Sequence, residues 1–215
     1  MLGEWSKTNL RYFPWREEKS PYSILLTEIL LKRTTSKAAA SVYHDFLETY
    51  PNMVALAEAD KPTLQSMLKR IGLQIQRTRA IIEMAGYVVK NFGGEIPSSK
   101  EDLERIPHVG SYTAAAVRSF GYGIRDAVVD SNVMRIIRRL FAKAIGKRKV
   151  SLSEFQQLAE MLLPEKHQNH NFAMVDLGAL VCRYDYPRCW FCPLKKACDT
   201  GSKTQGSNRS RRTHF

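Results

Sequence analysis

The sequence runs to 215 residues, with 33 Lys plus Arg against 21 Asp plus Glu and a formal net charge of +12. That length makes one large domain or two small ones with ample material for a hydrophobic core, and a cationic surplus of this size points to a polyanionic partner, nucleic acid before membrane. No apolar run reaches the roughly 20 residues of a membrane-spanning helix, and the opening MLGEWSKTNL lacks the apolar stretch of a secretory signal; the expectation is a chain that stays where it is made, in the cytoplasm or nucleoid.

Helical punctuation dominates the chain. Ser20-Pro21 offers an N-cap and a first-turn proline to the run ILLTEILLKRTT at 24–35, where six leucines and isoleucines surround one carboxylate, Glu28, and two cations, Lys32 and Arg33, follow. For an isolated acid in such a run, an edge position that reaches water is the simplest account. Apolar residues at helical spacing predict a helix over 37–50, stopped by Pro51. Short helices are expected over 53–59 and 62–71, the second ended by Gly72, and a longer one over 78–92, closed by Gly93-Gly94. Helices over 100–106, 111–120, 130–142, 151–163 and 172–182 complete the set. Nothing alternates with period two for long, so the fold class is all-α. Residues 201–215 (GSKTQGSNRSRRTHF) are polar, basic and aperiodic, and are expected to be a disordered tail adding non-specific attraction for phosphate.

Three constellations carry chemistry. In LERIPHVGSYTAAA at 103–116, Pro107 stops one helix, Gly110 permits positive φ in the turn, and a small-residue helix starts at Ser111. The amides of Val109, Gly110 and Ser111 are expected to stand unpaired at that helix start, an anion site with the helix dipole behind it; Ala114–Ala116 allow close helix packing. An ordinary helical corner would use the same residues, but in a chain of this charge DNA phosphate is the expected ligand. In AVVDSNVMRIIRRL at 127–140, Asp130 stands where an N-cap belongs, a structural role worth on the order of 1 kcal/mol. The third is Cys182-x6-Cys189-x2-Cys192-x5-Cys198: all four cysteines within one short segment is the pattern of a metal site in a reducing compartment rather than of disulfides, and the spacing admits either tetrahedral zinc or an iron–sulfur cluster.

Together these elements resemble the helix-hairpin-helix DNA glycosylases of the endonuclease III superfamily, from about Phe13-Pro14-Trp15 to Cys198 and in the same order. IPHVGSYTA resembles the family's LPGVG-x-x-TA hairpin, VVDSNVMRI its V-D-x-x-V-x-R element, and the cysteine quartet has the spacing of its [4Fe–4S] loop. The resemblance implies a helical barrel lobe over 21–125, with the helix-hairpin-helix at 101–120, and a cluster-bearing lobe built from 1–20 and 126–200, with DNA in the cleft. It also implies a [4Fe–4S] cluster on Cys182, Cys189, Cys192 and Cys198, setting Arg183, Arg188, Lys195 and Lys196 toward DNA.

Two departures choose among subfamilies. Bifunctional members carry a Schiff-base lysine two residues after the hairpin glycine; here that residue is Tyr112, flanked by Ser111 and Thr113. A phenol cannot form an imine, so a monofunctional enzyme is expected. Adenine glycosylases typically have glutamines where this chain has Lys32-Arg33, and GLGYY where it has Gly72-Leu73-Gln74-Ile75-Gln76; LLKRTT and GLQIQR look closer to thymine(uracil)/G-mismatch glycosylases. The expected function is removal of thymine or uracil opposite guanine from duplex DNA by a monomer, with an adenine glycosylase or a catalytically dead DNA clamp as alternatives. Asp130 is then expected to stabilise positive charge at the sugar C1′, Glu28 to serve the departing base as a buried acid with a raised pKa, and Tyr112 to pack at the sugar. His108, Val109, Gly110, Ser111, Thr113 and the basic helix with Arg135 are expected to hold phosphates, and Lys32, Arg33, Gln74 and Gln76 to meet the gap and the orphan base.

Overall fold

The computed structural model describes residues 1–17 and 19–203; the expected disordered tail lies outside the described residues from position 204 onward. Among the described residues there is no strand, and the α-helices follow in order as α1 (Leu2–Asn9), α2 (Pro21–Leu31), α3 (Ser36–Thr49), α4 (Met53–Ala57), α5 (Lys61–Leu68), α6 (Gln74–Phe92), α7 (Lys100–Arg105), α8 (Ser111–Ala116), α9 (Ser131–Leu140), α10 (Ala142–Ile145), α11 (Leu152–Leu162) and α12 (His167–Leu180). The all-α expectation holds.

The chain forms two units: Met1–Arg11 joined with the chain from Ala127 on, and Tyr12–Asp126 between them. Residues 12–20, expected with the chain ends, thus pack with the middle of the chain, where Trp15 is buried edge-on against Tyr43 and stacked on Phe13.

In the middle unit, α2 is the central element. Ser20 caps it reciprocally, accepting from the Ser23 amide while the Ser23 side chain accepts from the Ser20 amide, with Pro21 in the first turn. Leu25, Leu26, Ile29 and Leu30 are at most 1% exposed, which fits a helix apolar on nearly every face. Beside it pack α3, with Tyr43 and Phe46 fully buried, and α6, with Ile81 and Met84 fully buried, while Leu64 and Leu68 of α5 are fully buried where α5 packs on α6 and α3. At roughly 1.5–3 kcal/mol per large apolar side chain, this cluster is the unit's main source of stability. The helix ends in an unexpected way. Arg77, buried on α6, donates from Nη1 to the Ile29 and Leu30 carbonyls at 2.7 and 3.0 Å and from Nη2 to the Lys32 carbonyl at 2.8 Å. It thereby occupies the carbonyls a helix C-terminus leaves open. Burial pushes its guanidinium pKa down.

In the unit of the chain ends, α1 packs on α12 and α12 on α9. Asp176 of α12 is completely buried and receives the Arg11 amide at 2.8 Å, Nε at 2.8 Å and Nη2 at 2.7 Å. The apolar core joins Leu2, Val133, Ile136, Ile137, Phe155 and Leu177.

Candidate functional site

The hairpin differs from its sequence expectation in one informative way. The left-handed residue is His108 (φ 67°), whereas Gly110, the N-cap of α8, sits at φ −107°. The Val109 amide donates to the Ile106 carbonyl at 3.1 Å. Ile106-Pro107-His108-Val109 is therefore a turn with proline at its second position and a positive φ at its third, the type II pattern, which favours glycine or asparagine where this chain has histidine. Val109 is thus committed inside the turn rather than open to an anion. Behind the turn, Ala114, Ala115 and Ala116 are fully buried, as close packing requires, and Thr113 is buried with them; Tyr112 is half-buried and Ser111 exposed.

The turn is tied to two neighbouring helices. His108 Nε2 lies 2.7 Å from Glu83 Oε2 on α6, and the Lys32 ammonium donates to the His108 carbonyl at 2.5 Å. Glu83 also accepts from Arg79 Nε at 2.7 Å; Arg79, then His108, holds this carboxyl below the usual range. Arg33 (φ 54°), Leu73 (φ 53°) and His108 are the non-glycine residues with positive φ among those described. All three line one cavity of about 240 Å³, with Lys32, Gln76 and Arg77 also on its walls. Strained backbone gathered at one concave surface is a mark of function. The sequence had placed Lys32, Arg33 and Gln76 in one role, and the structure brings them to one cavity; Gln74 starts α6 and is half-buried.

Glu28, on α2, is half-buried between the buried Thr27 and Ile29. It is near enough to Lys32 to act on its charge: burial pushes the Lys32 pKa down, Glu28 pulls it up, and Arg77 adds to the lowering. The cations after the apolar run are thus not independent of the acid within it.

In the other unit, Asp130 caps α9. Its Oδ1 accepts from the Val133 amide at 2.8 Å and its Oδ2 from Asn132 Nδ2 at 2.7 Å. Asn132 Oδ1 in turn accepts from Arg135 Nη2 at 2.8 Å, and Arg135 donates to the Gly178 and Cys182 carbonyls, each at 2.8 Å. Arg139 reaches the Arg183 carbonyl at 2.6 Å, the Tyr184 carbonyl at 2.7 Å and the Cys182 sulfur at 3.4 Å. Both arginines, expected at phosphates, are engaged as braces for the cysteine-bearing loop. Sequence reasoning missed this because a basic helix reads the same whether its guanidinium groups meet water or backbone carbonyls. Arg183, Arg188 and Lys196 on that loop are exposed and Lys195 is half-buried.

Cys182, Cys189, Cys192 and Cys198 line a single cavity with Arg139 and Gly201, and none of the four is in a disulfide. The Gly201 amide donates to Cys198 Sγ at 3.3 Å. Burial pushes the Cys192 thiol pKa up, the Leu194 amide opposes this, and Cys182, Cys198 and Cys189 add to the rise. Among the described residues, no group of three or more His, Cys, Asp or Glu is arranged to hold a single metal ion.

A capping aspartate, a hairpin whose second helix is N-capped by glycine and a thiol-lined loop on an all-helical frame are the parts of a helix-hairpin-helix protein. The chain belongs to the HhH-GPD superfamily of base excision DNA repair proteins, whose model matches residues 26–161. It is 34% identical over 192 residues to a thymine/uracil-DNA glycosylase of Methanothermobacter thermautotrophicus, a match covering 89% of this chain and 87% of that one. A thermostable thymine-DNA glycosylase of known structure superposes with a TM-score of 0.90 at 33% identity, covering 94% of each chain. An adenine DNA glycosylase of Buchnera aphidicola is 30% identical across 86% of this chain, which spans 52% of that protein. The resemblance read from the motifs holds, for the mismatch enzymes and for the adenine enzymes behind them.

Proposed function

We propose that this protein is a monofunctional DNA glycosylase that removes thymine or uracil opposite guanine from duplex DNA. The observation that carries this reading is the likeness to a thymine/uracil-DNA glycosylase over 89% of the chain, supported by Asp130, each of whose oxygens is oriented by a donor. Loss of the base leaves positive charge at the sugar C1′, and a carboxylate there stabilises it electrostatically or through a transient covalent bond. Asp130 is oriented by two donors, one on each oxygen, and each oxygen keeps a second lone pair for the sugar. The cap and the chemistry therefore coexist in one side chain. Glu28 serves the departing pyrimidine by hydrogen bonding a ring carbonyl or by positioning water. Tyr112 packs at the sugar and, as a phenol, forms no imine, so the abasic product is released intact.

The hairpin amides of Gly110 and Ser111, with Thr113 in the helix behind them, hold the DNA backbone. Lys32, Arg33, Gln74 and Gln76 meet the orphan guanine and the gap. Arg135 serves this interface indirectly, by fixing the loop that presents Arg183, Arg188, Lys195 and Lys196. Cys182, Cys189, Cys192 and Cys198 would hold a [4Fe–4S] cluster: they line one cavity, and N–H donors point at two of their sulfurs. When bound, the cluster supplies a cross-link that orders the loop. The protein acts as a monomer on mismatched duplex.

The test is an abasic-site assay with alkaline cleavage on T/G, U/G and A/G duplexes, with borohydride trapping in parallel. Cleavage of T/G and U/G without a trapped adduct is expected. Cleavage of A/G alone would favour the adenine reading, and no cleavage of any duplex would leave a DNA clamp.

A further inference from the structure

We infer that His108 is a proton-dependent DNA-binding residue, whose ring, held against Glu83 on the hairpin turn, makes duplex affinity rise as the imidazole takes up a proton. The inference rests on the proposed use of the hairpin against DNA. Three observations carry it. First, His108 occupies the left-handed position of a type II turn at φ 67°, a region that histidine enters more readily than most side chains, and the turn fixes where its ring stands on the hairpin. Second, the ring has a defined partner, with Nε2 2.7 Å from Glu83 Oε2, yet the His108 side chain remains 38% exposed. Third, the surroundings are cationic: Lys32 donates to the His108 carbonyl, Arg79 binds the other side of Glu83, and Arg33 and Arg77 line the adjoining cavity.

The charges settle the sign. With the ring protonated, Glu83 is shared by two cations, Arg79 and His108, and the turn presents its full positive charge to phosphate. With the ring neutral, the turn loses one unit of positive charge beside the DNA backbone. A charge at such a distance in a screened, exposed setting corresponds to on the order of a three- to tenfold change in affinity, and to about one fewer counterion released in the salt dependence.

The experiment measures the dissociation constant of the full chain for a short duplex bearing a tetrahydrofuran abasic analogue opposite guanine, between about pH 5.5 and pH 8, a range in which histidine side chains as a class change charge. Wild type should weaken several-fold as pH rises. His108→Asn tolerates the left-handed position and cannot titrate, so its affinity should be flat across the range, and a thermal melt should find it no less stable than wild type. A flat wild-type profile, or an unchanged transition in His108→Asn, overturns the inference while leaving the glycosylase reading in place. Failure of wild type to bind the duplex at any pH overturns both.

Discussion

Asn132 Nδ2 donates to Asp130 Oδ2 at 2.7 Å while the backbone amide of Val133 holds Oδ1. This separates the cap from the chemistry. Asp130→Asn keeps an oxygen for the Val133 amide, and asparagine caps about as well as aspartate. The variant should melt within a degree or two of wild type, bind duplex, and excise slower by at least about two orders of magnitude in single-turnover assays. Normal turnover would reduce Asp130 to a cap.

Gly178 lies so close to Asn132 that a Cβ placed on it would sit 2.4 Å from Asn132 Cβ. Gly178→Ala must move Asn132 or the α9–α12 packing, an overpacking that costs about 1–3 kcal/mol. Excision should fall with Asp130 intact, because the donor on its Oδ2 is displaced. Thermal melts and single-turnover rates measured together check this; a variant with wild-type rates would show that Asn132 does not orient the aspartate.

Glu154, in the first turn of α11, accepts from the Ser151 amide and from Arg148 Nη1, and these bonds, the backbone one foremost, hold its pKa down at about 2 against the ordinary 4.5. Its contribution to stability is therefore fully present above pH 4.5 and is lost as pH falls toward 2. Glu154→Gln should be less stable than wild type at neutral pH, with the difference closing in acid. Denaturant melts at a series of pH values read this directly.

Cys198 sits where the Gly201 amide and the Arg139 carbonyl approach its sulfur. Purified wild type should be brown, with about four irons per chain. Cys198→Ser should lose iron and visible absorbance, and should bind duplex more weakly because Arg183, Arg188, Lys195 and Lys196 are no longer ordered. A colourless, zinc-loaded and fully active wild type would overturn the cluster assignment.

The sequence made legible what local chemistry encodes. Ser20, Ser99, Asp130 and Ser151 each cap the helix that follows, and proline and glycine punctuation placed most helix ends. It failed where no side chain announces a start. Helix α6 begins at Gln74 behind Leu73 in a left-handed conformation, and α12 begins at His167; neither has a side-chain cap. The run HQNH at 167–170 shows no apolar period, so the helix was expected only from 172. The candidate site followed the same division. The thiols, the capping aspartate and the acid in the apolar run stand out by residue type and spacing. Arg77, Arg135, Arg139 and Glu83 act through partners far away in sequence, and no local pattern distinguishes a brace from a phosphate ligand. His108 was visible as a residue, but its left-handed backbone was assigned to Gly110.

The unit that carries the thiols is assembled from the two ends of the chain, and this sets an order of events during synthesis. Tyr12–Asp126 is contiguous, so every contact within it is available once that stretch has been made. Helix α1 has to wait until α12 emerges more than 150 residues later, since Arg11 and Asp176 are 165 positions apart. Until Asp176 is made, the Arg11 guanidinium lacks the buried carboxylate it meets in the fold, and the contact of α1 with α12 cannot form. Helix α1 thus locks into its unit only after α12 has been made.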